Sequence, residues 1–161
     1  MKQLYTSILS ISIAASATAQ LSGTYTVGGS APDYASLTLA VNALVAQGAN
    51  GNVTFDIRPG DYDAQYGIGA ITGNPGTITF RNSSNGAQAV NLRFDASGDT
   101  DNHIFLVDGT PDVAFEKLTF RPLDAEYARA VVFQNAIESL RIEQCIFHGS
   151  TYADGSGYFR R

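Results

Sequence analysis

Glu116 and Glu143 occupy the same place in two similar stretches, Phe115-Glu-Lys-Leu-Thr-Phe120 and Ile142-Glu-Gln-Cys-Ile-Phe147. Two carboxylates held one strand spacing apart can share a proton and do acid–base work, whereas an exposed, solvated pair is only weakly coupled. Asp95, Asp99, Asp101 and Asn102 lie in one Gly-containing loop and form a candidate set of oxygen ligands for calcium. Asp and Asn are also favoured turn residues, and the spacing does not match an EF-hand loop. Asp61 and Asp63 form a second Asp-x-Asp pair with the same two readings. His103 and His148 lack flanking metal-ligand partners and read as solvated loop histidines. Tyr62, Tyr66, Tyr127, Tyr152 and Tyr158 fall in or near loops, where flat rings stack on sugars or fill half-buried rims. Gly67-Ile-Gly69 lacks the Lys and the strand-to-helix context of a phosphate loop. Asn52-Val-Thr54 and Asn82-Ser-Ser84 are glycosylation sequons by pattern, relevant only in a eukaryotic secretory route. These residues leave the catalytic groups unassigned and call for no cofactor other than the calcium alternative.

The chain that must position them has 161 residues, 10 basic and 15 acidic, for a net charge of −5. With 44% hydrophobic and 16% charged residues it is not a disordered chain, and its length suits one domain. A net negative charge with few, unclustered basic residues argues against a nucleic-acid partner. A single cysteine rules out an intrachain disulfide and a Cys-based zinc site.

Residues 1–19 read as a signal peptide. Lys2 gives a positive start, Ser7 to Ala15 is a short apolar run, and Ala17-Thr18-Ala19 supplies small residues for cleavage. The run falls well short of the ~20 apolar residues of a membrane span. Gln20, not cysteine, follows the site, which argues against a lipoprotein anchor. The expected location is therefore secreted or at the cell surface.

Residues 20–50 form the next unit, containing one amphipathic helix. Leu37, Ala40, Val41, Leu44 and Val45 share a face, Ser30 or Asp33 can cap its start, and Gly48 suits its end. From residue 51 to 161 the pattern changes to period two. Val53-Phe55-Ile57, Ile78-Phe80, Val90-Leu92-Phe94, Val113-Phe115 and Leu140-Ile142 alternate between turns rich in Gly, Asn, Asp and Pro.

These strands repeat. A shift of 27 residues places Ile104-Phe105-Leu106 on Val131-Val132-Phe133, Val113 on Leu140, Phe115 on Ile142, Leu118 on Cys145 and Phe120 on Phe147. Cys145 is thereby a small core hydrophobe rather than a nucleophile. A shift of 26 relates Ile78 to Ile104, Leu92 to Leu118 and Phe94 to Phe120. Such a period predicts a solenoid of short strands in which each coil buries its apolar face on the next. A β-sandwich does not require side chains to recur at a fixed offset. The expected fold is all-β, a right-handed parallel β-helix of about four coils with the helix plugging its first coil. No closing element follows the last coil, and the expectation is a longer protein with downstream domains.

Gly23-Thr-Tyr-Thr-Val-Gly-Gly29, Asp33-Tyr-Ala-Ser-Leu37 and Val53-Thr-Phe-Asp-Ile-Arg-Pro-Gly-Asp-Tyr62 resemble the start of pectin-lyase-like β-helix proteins, among them large secreted proteins of Bacteroidetes-type bacteria. The resemblance implies the capping helix and first coils of that fold. Lys117 and Gln144 stand where the family's coil motif often has Asn. The fold hosts lyases, hydrolases, esterases and inert stalks alike. Against pectin methylesterases, Cys145-Ile-Phe-His-Gly149 is similar, but Ser150-Thr151-Tyr152 replaces the required Gln-Asp-Thr and Arg129 replaces a glutamine. That mechanism is not carried. The resemblance implies binding or processing of an extracellular polysaccharide, the alternative being a non-catalytic surface or adhesive stalk.

Overall fold

A computed structural model describes residues 19–84, 89–109 and 112–149. The leader reading, Tyr152, Tyr158 and the Ser150-Thr151-Tyr152 comparison fall outside them, except for Ala19.

β1 (Leu21–Val27) leads into α1 (Leu37–Gln47), after which eleven strands wind into coils. The first coil holds β2 (Ala49–Ile57), β3 (Gly60–Asp63) and β4 (Tyr66–Ile68). The second holds β5 (Gly73–Asn82), β6 (Val90–Phe94) and β7 (Phe105–Asp108). The third holds β8 (Val113–Glu116), β9 (Thr119–Pro122) and β10 (Val131–Gln134), and the last described coil β11 (Leu140–Glu143) and β12 (Ile146–Phe147). Three sheets run along the stack, ordered β1-β2-β5-β8-β11, β3-β6-β9-β12 and β4-β7-β10, and every strand pair is parallel. The chain is a parallel β-solenoid of about four turns.

Alternation sorts the side chains. In the five-stranded sheet Phe55, Phe80 and Phe115 point inward in one column and are fully buried, with stacked rings 5.3 and 5.7 Å apart. Phe105, from the three-stranded sheet, meets Phe80 and Phe115 edge-on, both at 5.1 Å. Each phenylalanine thus touches its own column and a neighbouring sheet. Truncating one to alanine should cost roughly 3–5 kcal/mol.

The register at 27 residues is as the repeat predicts for the last two coils. Val113 pairs with Leu140, Phe115 with Ile142 and Phe120 with Phe147. The three-stranded sheet slips by one: Phe105 pairs with Val131, an offset of 26. The 26-residue relation of the earlier coils is not the pairing. Ile78 pairs with Val113, Leu92 with Phe120 and Phe94 with Pro122. The bends explain this, because strand positions are fixed by the stack while the connecting loops vary freely in length. The segment 95–104 between β6 and β7 lengthens the second coil, so one shift cannot align the whole chain.

The helix forms where periodicity placed it. Leu37, Ala40, Val41 and Leu44 are buried and join the core, but Val45 is exposed, one step past the buried stripe. Its start is capped by Ser36, whose Oγ accepts from the Leu39 amide at 3.2 Å, not by Ser30 or Asp33. Asp33 instead accepts from both the amide and hydroxyl of Thr26, at 2.7 and 2.8 Å. Gly48 ends the helix at φ 74°.

Candidate functional site

Outward positions of the five-stranded sheet form a charged column. Asp56, Arg81, Glu116 and Glu143 are successive partners on β2, β5, β8 and β11. Arg81 forks onto Asp56, its Nη2 donating to Oδ2 at 3.1 Å, and this hydrogen bond raises the guanidinium's pKa. Glu116 and Glu143 do meet on neighbouring strands. Arg141 lies between them, with Nη2 2.6 Å from Glu116 and Nη1 2.9 Å from Glu143. The pair is a three-member ion network rather than two carboxyl groups facing each other.

The four-stranded sheet repeats the device. Arg93 Nε and Nη2 donate to the two carboxylate oxygens of Asp63 at 2.6 and 2.7 Å, and its Nη1 lies 2.7 Å from Asp61. Asn91 Nδ2 donates to the other oxygen of Asp61 at 2.7 Å. The guanidinium holds the Asp63 carboxyl below its ordinary value. The Asp-x-Asp of the sequence is therefore a clamp for Arg93. Arg81 and Arg93 were not singled out by sequence reasoning, because their acidic partners lie 25 and 30 residues back, at offsets the 27-residue repeat does not reveal.

The calcium candidates separate. Asp101 turns into its own loop, accepting from the Ser97 hydroxyl and amide and from the Gly98 amide at 2.8–3.1 Å. Those bonds lower its pKa. Asp95 and Asp99 are exposed, and Asn102 is buried with its oxygen accepting from the Arg129 amide at 3.0 Å. Among the described residues no three His, Cys, Asp or Glu side chains converge on a place for a metal ion. The donor set does not fit calcium, which takes several converging oxygens.

Other candidates have structural partners. Tyr62 donates its hydroxyl to the Arg58 carbonyl at 2.8 Å, and Tyr66 is buried against Phe105. Neither offers a free ring face to a sugar. Burial raises the Cys145 thiol and lowers His103. Asn52 fills a strand irregularity, its oxygen accepting from the Thr77 amide at 3.0 Å, and Asn82 is buried. Both sequon asparagines are built into the coil.

An open cleft of about 260 Å³ lies where β9 and β12 run out, lined by Arg121, Leu123, Asp124, His148 and Gly149 among others. The Asp124 carboxylate accepts from the Glu126 and Tyr127 amides, both at 2.7 Å, which lowers its pKa. The cleft is small, rimmed by both signs of charge and open to solvent.

No protein-family model matches the chain, and no curated protein or solved structure matches it. The likeness to pectin-lyase-like proteins therefore rests on the sequence motifs alone. No helix among the described residues is long and apolar enough to cross a membrane.

Proposed function

We propose that this is the leading part of an exported β-solenoid that binds an extracellular polysaccharide along its outer faces. The observation that carries the reading is the column geometry. Thr24, Thr54 and Thr79, and beside them Thr26, Asp56, Arg81 and Glu116, stand on straight outward rows of one sheet. Each row repeats at the ~4.8 Å strand spacing. A straight, regularly spaced polar face complements an extended, regularly spaced polymer of hydroxyl groups. The leader-like residues 1–19 support export. Binding is favoured over cleavage because the two repeat-placed glutamates are tied to Arg141.

The second reading, a non-catalytic surface stalk, is favoured by the arginine clamps themselves, which stiffen the coil exterior without offering a free group. Retention on immobilised polysaccharides separates the two. The binding reading expects retention weakened by charge-reversing Arg81→Glu and by bulky Thr54→Trp. A chain that passes every neutral and acidic glycan unretained belongs to the stalk reading.

A further inference from the structure

The last described coil leaves the apolar interior open. Leu140, Ile142, Ile146 and Phe147 are 41–57% exposed, while Val113, Phe115 and Phe120 one coil below are essentially inaccessible. Phe133 is likewise exposed above buried Val107, its strand partner. Residue type does not account for the contrast. The lower residues are covered by the next coil, and the upper ones have no such cover among the described residues.

We propose that this face seats a fifth coil of the same polypeptide, with apolar side chains over Phe133, Ile142 and Phe147 and a basic side chain over Glu143. The inference deepens the reading of the chain as the start of a longer solenoid. It rests on continuity with the coil interfaces below, which share one construction. Val113 donates its amide to the Ser139 carbonyl at 3.0 Å, and Lys117 donates to Glu143 at 2.9 Å, each reaching one coil up. Leu140 and Gln144 occupy the equivalent positions and need the same acceptors from a coil above. The bends match as well: Asn135 repeats the left-handed backbone of Gly109, and Gln144 that of Lys117.

Charge specifies the occupant further. The outer column alternates at Asp56, Arg81 and Glu116, then places Glu143 directly on Glu116. Arg141 neutralises that like pair from the side. A cation over Glu143 restores the alternation, since opposite charges on paired strands stabilise and like charges destabilise. A second copy meeting this face through a two-fold axis would run its strands antiparallel. It would give up the aligned bends and the amide pattern of each interface below.

The test extends the full chain. A copy of Asn135–Phe147 joined directly after Arg161 keeps the 27-residue spacing from β11 and β12 to their copies. One version keeps the glutamate copied from Glu143, a second replaces it with lysine, and a third carries the copy scrambled. Hydrogen exchange at Leu140 and Gln144 should slow at least tenfold in the first two and stay unchanged in the third, as ordered strand addition requires. The lysine version should melt above the glutamate version. Unchanged exchange in both ordered extensions overturns the proposal. A parent chain that is dimeric at micromolar concentration, and monomeric as Ile142→Lys, also overturns it, by assigning the face to a second copy.

Discussion

Gln144 stands one coil above Lys117 and repeats its left-handed backbone, at φ 54° over 56°. Both residues directly follow an outward glutamate and turn the chain from the five-stranded into the four-stranded sheet. A side chain with Cβ is strained there, and glycine is not. Gln144→Gly should therefore stabilise by roughly 0.5–1 kcal/mol, and Gln144→Val should destabilise by a similar amount. Denaturant midpoints at constant slope measure both. Equal midpoints for Gly and Val would show that the bend is not held in that conformation.

Val41 is 3% exposed and Leu39, two residues earlier on the same helix, is 53% exposed. Val41→Asp buries an unpaired carboxyl and should cost on the order of 3 kcal/mol or more. Leu39→Asp should stay within about 0.5 kcal/mol. Thermal unfolding of the two variants decides whether α1 packs its Leu37–Leu44 stripe on the first coil.

Asp101 supplies a pH dependence. Its carboxyl is held below the ordinary 3.8 by the Ser97 and Gly98 donors. A lowered folded pKa contributes stability that is present above the unfolded value and lost as pH falls through the folded one. Stability of the parent chain should fall on acidification below about pH 4, and Asp101→Asn should flatten that part of the profile. Millimolar calcium should leave melting unchanged at neutral pH, because Asp95 and Asp99 do not join Asp101. A calcium-dependent rise removed by Asp101→Asn would restore the ligand reading.

Legibility varied with how tightly the stack constrains each residue. Val113 over Leu140 and Phe120 over Phe147 were readable because both bends between them are short and alike. Ile78 was matched to Ile104 instead of Val113 because any two inward apolar residues look alike in sequence, and segment 95–104 changes the coil length unseen. The same effect hid the Asp56–Arg81 and Asp63–Arg93 clamps. Ser36 was missed as the helix cap because Ser30 and Asp33 are equally good by type, and only the backbone direction selects among them. Asp101 read as a ligand for the same reason it caps a turn: its oxygens suit either partner.

The chain expressed without its leader should turn over no pectin, acidic glycan or methyl ester. Glu116 and Glu143 are bound up with Arg141, and Arg129 stands where the esterase needs a glutamine. Assays for unsaturated products, reducing ends and methanol check this. Turnover abolished by Glu116→Gln would make that carboxylate catalytic despite its ion pair.

The parallel stack itself is tested most directly by cross-linking β8 to β11. With Cys145→Ser removing the native thiol, the pair Glu116→Cys and Glu143→Cys should oxidise to a disulfide, since paired residues on adjacent strands lie within the roughly 4.4–6.8 Å Cα separation a disulfide spans. Glu116→Cys with Leu140→Cys should not close, because parallel strands hold those residues at opposite ends of the ladder. Ready closure of the second pair and failure of the first would mean antiparallel strands, and the solenoid would be wrong.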